Sequence, residues 1–126
     1  KFKNILKYDE ENILMADIKN RQNIIAVKKE EDGIFSSKCF VCIYEFNDLE
    51  NVKKYELEDV PTKICSLENI IAIDNRKEII FINSSGNFVK KCEYQGVLKD
   101  LKLMDEGNTA VLIFRNTAEF VKVGGI

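Results

Sequence analysis

The chain has 126 residues, 45% of them apolar and 32% charged, with 19 basic against 21 acidic side chains and a net charge of -2. That length fits one domain with enough apolar material for a core, and the charge balance argues against general nucleic-acid binding, which needs a basic footprint. There is no histidine, which removes Ser-His and Cys-His nucleophile pairs and histidine metal sites.

Taken in chain order, the short apolar stretches read as strands. The first, Phe2-Lys3-Asn4-Ile5-Leu6-Lys7-Tyr8, is an outer-strand pattern. Met15–Ile18 alternates, and Asn23-Ile24-Ile25-Ala26-Val27 opens a continuous apolar run after a polar stretch. An acidic loop, Lys28–Lys38, carries Ile34 and Phe35 and leads to Cys39–Tyr44 and then Val52–Leu57. Thr62–Leu67 alternates, and Asn69-Ile70-Ile71-Ala72-Ile73 repeats the earlier Asn-led run. Glu78–Ile82, Val89–Tyr94, Leu98–Leu103, Asn108–Leu112 and Ala118–Val123 complete the set. Polar turn sequences separate them: Asp74-Asn75-Arg76-Lys77, Asn83-Ser84-Ser85-Gly86-Asn87, Glu106-Gly107-Asn108 and Arg115-Asn116-Thr117.

The Asn-led strands recur at spacings of 46 and 39 residues. Val52-Lys53-Lys54-Tyr55-Glu56-Leu57 is echoed by Val89-Lys90-Lys91-Cys92-Glu93-Tyr94, and the interval to the following leading Asn is 17 and 19 residues, against 21 from Phe2. Counted from the leading Asn, Phe81 and Phe120 hold the same place. With the strands of one unit named a, b, c and d, the order is d-abcd-abcd-abc. A period near 40 residues with four strands is the pattern of a β-propeller blade. Helical repeats of similar length need stretches of ten or more residues at 3.6 spacing, whereas these apolar runs span four to six and are rich in Ile, Val, Phe and Tyr.

The expected fold is all-β: about three four-stranded antiparallel blades, at 12–59, 60–96 and 97–126, with 1–9 as a closing or preceding outer strand. The whole of 1–126 is one propeller segment. Ser66–Tyr94 and Asn23–Phe46 resemble the degenerate blades of the WD40-like superfamily. They are similar to those of the cleavage-and-polyadenylation factor A and damaged-DNA-binding scaffold family. The Gly-His and Trp-Asp signatures of WD40 repeats are absent, since the chain has neither His nor Trp. Three blades are too few for a ring of 4 to 8. The start without Met and the Gly124-Gly125-Ile126 end are read as those of a segment of a larger propeller, with rings built from several copies as the alternative.

Cys39-x-x-Cys42 is the one motif-like spacing. On a strand, positions i and i+3 face opposite ways, so these thiols are not expected to share a metal. Free buried thiols fit the cytoplasm or another reducing intracellular compartment. Glu30-Glu31-Asp32 reads as a solvated run, and neither a calcium loop nor a phosphate loop is present. The lysines of the d strands read as edge protection. No stretch reaches the ~20 apolar residues of a membrane helix.

The expected function is a non-catalytic protein-interaction scaffold, with no enzyme activity, cofactor or metal. Its partners are other proteins or the rest of a parent propeller, and not nucleic acid or membrane. A ligand- or carbohydrate-binding propeller assembled from several copies is the alternative. Ile34 and Phe35 are the candidate contact residues: two large apolar side chains on a polar loop either fold back on the blade or meet a partner.

Overall fold

Eleven strands follow one another with no α-helix among the described residues. They come from a computed structural model that describes residues 13–19, 23–31 and 37–124. The outer strand expected at Phe2–Tyr8 lies outside them. The chain divides into two compact units, Lys1–Asp59 and Val60–Ile126.

In the first unit, β1 (Ile13–Lys19), β2 (Asn23–Glu31), β3 (Ser37–Glu45) and β4 (Asp48–Leu57) form an antiparallel meander in the order β1-β2-β3-β4. The expected long b–c loop is shorter than its sequence suggests. The β2–β3 ladder continues through Glu30↔Lys38 to Glu31↔Ser37. Charged side chains do not stop a ladder whose backbone groups pair, and the opposed Glu30 and Lys38 favour it. Ile34 and Phe35 fall in 32–36, outside the described residues. One face of this sheet clusters Ala26, Cys42 and Tyr44 with Ile13, Ile24, Phe40, Leu49 and Val52.

The second unit holds two sheets. β5 (Lys63–Leu67), β6 (Ile70–Asp74), β7 (Glu78–Asn83) and β8 (Phe88–Glu93) repeat the meander in the order β5-β6-β7-β8. β9 (Asp100–Met104), β10 (Thr109–Ile113) and β11 (Ala118–Lys122) form a three-stranded sheet with β10 in the centre. Side-chain oxygens shape the turns. Asn75 Oδ1 accepts from the N–H groups of Lys77 and Glu78 at 3.0 and 2.9 Å. Asn83 Oδ1 accepts from Ser85 and Asn87, both at 3.0 Å. These are Asx-type closures that supplement the backbone bonds of the same turns where the chain reverses.

The register places the three recurring asparagines alike. Asn69 and Asn108 sit at a–b turns and Asn23 opens β2, each beside the end of the c strand. Asn69 Oδ1 accepts from Ser84 N–H at 3.2 Å, and Asn23 Nδ2 donates to the Tyr44 carbonyl at 3.5 Å. The Asn108 carbonyl accepts from Val123 N–H at 2.8 Å.

The two sheets of the second unit pack through different faces. β6 contributes Ile70 and Ala72, one and three residues after its leading Asn, and β7 adds Ile79 and Phe81. β10 contributes Ala110 and Leu112, two and four residues after its own, with Leu101, Leu98 and Val123 beside them. The front of one repeat therefore meets the back of the next. The first strands, β5 and β9, run alongside each other. Gly107, at φ +89°, allows the closest approach: a Cβ there would stand 2.8 Å from the Leu67 carbonyl oxygen and 3.1 Å from Ile70 Cβ. Only glycine combines that backbone with that distance.

Candidate functional site in the second unit

The b–c turns and the β8–β9 connection lie at one end of the two sheets, as the meander dictates. At this end β6 finishes on Asp74, a carboxylate only 2% exposed. A buried carboxylate is costly unless its oxygens are hydrogen-bonded. Tyr94 OH, just past β8, donates to Oδ1 at 2.6 Å, and the Arg76 N–H donates to the same oxygen at 3.1 Å. Thr62 Oγ1, just before β5, lies 3.0 Å from Oδ2 and 3.1 Å from the Asp74 carbonyl oxygen. Asp74 thus ties the first and fourth strands of its sheet to the turn after the second. The phenol of Tyr94 is pushed well above its ordinary value, first by burial and then by its hydrogen bond to Asp74. It stays a neutral donor. This carboxylate is a structural anchor whose oxygens are already occupied.

Tyr94 continues the chain of contacts outward. Its ring lies 5.9 Å from that of Phe114, tilted at 59°, within the favourable range for aromatic pairs. Phe114 lines an open groove of about 750 Å³ bounded by Gln95–Val97, Lys99, Arg115–Thr117 and Glu119. Gly96, at φ +92°, lets the connection turn above Phe114. Val97 is 79% exposed at the rim. The groove offers an aromatic floor, backbone groups and two cations against one anion, which suits a peptide segment or a small polar ligand.

The first unit has its own polar feature. Lys28 is buried at 6% exposure, and its Nζ donates to Tyr44 OH at 3.1 Å. Lys54 bonds Glu30 at 2.8 Å, and its Nζ stands 5.3 Å from the Phe40 ring centre. The hydrogen bond to Glu30 raises the Lys54 pKa. The same face carries Cys42, while strand alternation turns Cys39 to the opposite face. Burial raises the pKa of both thiols, so both are held as thiols and are poor nucleophiles. None of the four cysteines forms a disulfide.

Among the described residues no group of three or more His, Cys, Asp or Glu side chains could hold a metal ion. No helix among them is long and apolar enough to cross a membrane. The sequence singled out Ile34 and Phe35, which lie outside the described residues, and missed the Asp74–Tyr94–Phe114 line. Its signal was faint: a Tyr ending one d-type strand and a Phe ending one b-type strand, 20 residues apart. No family model, curated protein or solved structure matches this chain.

Proposed function

We propose that the chain is a segment of a β-propeller-type scaffold that binds other proteins without catalysis, in the cytoplasm or another reducing intracellular compartment. The observation that carries the reading is the front-to-back packing of two successive repeats in the second unit, with their first strands adjacent. Radial repetition of this kind generates propellers, whose rigid sheets present variable turns at their ends. The step from that framework to binding is an analogy of fold. It gains support from the groove at the turn end and from Asp74, whose carboxylate is spent on internal hydrogen bonds. The free thiols favour a reducing compartment.

Phe114 and the polar groups beside it also favour a second reading, a small-ligand or carbohydrate site in a propeller assembled from copies of the chain. One set of variants separates these readings. Val97→Asp with Arg115→Glu alters the groove rim, and Ile34→Ser with Phe35→Ser alters the loop. Protein partners captured by the wild type should be lost from one of these two variants while both melt as the wild type does. Retention of every partner by both variants contradicts the scaffold reading. Saturable sugar binding lost only with the groove variant supports the second.

A further inference from the structure

The third sheet leaves one face open. Its outward side chains are Met104, Val111, Ile113 and Phe120 with Asp100, Lys102 and Lys122. Phe120 is 69% exposed and Met104 46%. Val111 stands three residues after its leading Asn and pairs with Phe120. In the second sheet the same positions are Ala72 and Phe81, also paired, and both are 0% exposed. They are the residues that meet the back of the third sheet. In the first sheet the equivalent b-strand residue, Ala26, pairs with Cys42, and both are again 0% exposed. The third pair alone among these three is not buried, with Val111 partly covered and Phe120 exposed.

We propose that the outward face of β9–β11 is the docking face for one further sheet of this repeat, laid on Phe120 and Val111 by its back. The chemistry of that partner follows from the backs of the three repeats present. Two and four residues after the leading Asn they carry Ile25 and Val27, Ile71 and Ile73, and Ala110 and Leu112, each 0–1% exposed. The partner is therefore a twisted antiparallel sheet with aliphatic residues at those two positions of its second strand. Lys102 pairs with Val111 where the second sheet has Cys65 opposite Ala72. The Lys102 amino group lies 3.5 Å from Asp100 at the sheet margin, so its stem can be covered while its charge stays in water. The inference rests on the propeller-repeat reading and is independent of the groove.

The test joins a copy of residues 60–96, one whole repeat, to the C-terminal end of the full chain through a flexible linker. Phe120→Asp is then compared with and without that addition. In the 126-residue protein it should move Tm by about 1 °C or less, because the ring is already in water. In the extended chain it should lower Tm by about 5 °C or more. It should also speed hydrogen exchange in the added repeat. Thr117→Asp, at the turn, should act alike in both chains. A folded, protected added repeat indifferent to Phe120→Asp overturns the docking face and leaves the repeat reading intact. Free-peptide exchange throughout the added repeat, with Phe120 in place, overturns both. Dimers of the 126-residue protein that Phe120→Asp dissociates would assign the face to a second copy and overturn the proposal.

Discussion

Tyr94 shows how one hydroxyl can hold a sheet end together. Tyr94→Phe removes the shortest bond to a buried carboxylate, and leaving a buried acceptor short of a donor costs about 1–3 kcal/mol. Urea melts at pH 7 should show that loss. The pH dependence is specific. The folded phenol titrates above its ordinary value of 10.0. Its contribution is complete below that pH and fades as the pH rises, because the folded state then holds the proton that the unfolded state has released. The wild type and Tyr94→Phe should therefore converge in stability above pH 10. A constant gap up to alkaline unfolding would show that Asp74 is held by its other donors. Gly107 gives a second residue-scale expectation. Gly107→Ala forces a Cβ against the Leu67 carbonyl at a positive φ, and should cost about 1–3 kcal/mol in the same melts.

At the scale of strands, the repeat was legible because its apolar runs are short, β-branched and bounded by Asx and Gly turns. Eleven of the twelve expected strands fall on strands of the described residues, and the twelfth, Phe2–Tyr8, lies outside them. Two features were not legible. The extension of β2 and β3 past Lys28 is set by backbone pairing, to which a run of charged residues gives no apolar signal. The Asp74 anchor joins Thr62 and Tyr94, which only the folded meander brings together. The equivalence of Phe81 and Phe120 was visible as a count, but their different burial depends on which face has a neighbour. Phe81→Ala should cost about 3–5 kcal/mol, whereas Phe120→Ala in the same chain should fall within about 0.5 kcal/mol of the wild type. Paired chemical melts check the contrast, and equal losses would contradict the assignment of faces.

At the scale of the whole molecule the sheets repeat, and in the second unit they pack front to back. A two-sheet sandwich of hairpins related by a twofold axis would pack equivalent faces together. The alternatives differ in which methyl groups meet the Phe81 ring. Methyl-labelled protein and nuclear Overhauser spectroscopy read this directly. Front-to-back packing predicts cross-peaks from the second-sheet core, Ala72 and Phe81, to the Ala110 methyl and to Leu101 or Leu112. None should run to Val111 or the Phe120 ring. Cross-peaks linking Phe81 or Ala72 to Val111 or Phe120 would place equivalent faces together and contradict front-to-back packing.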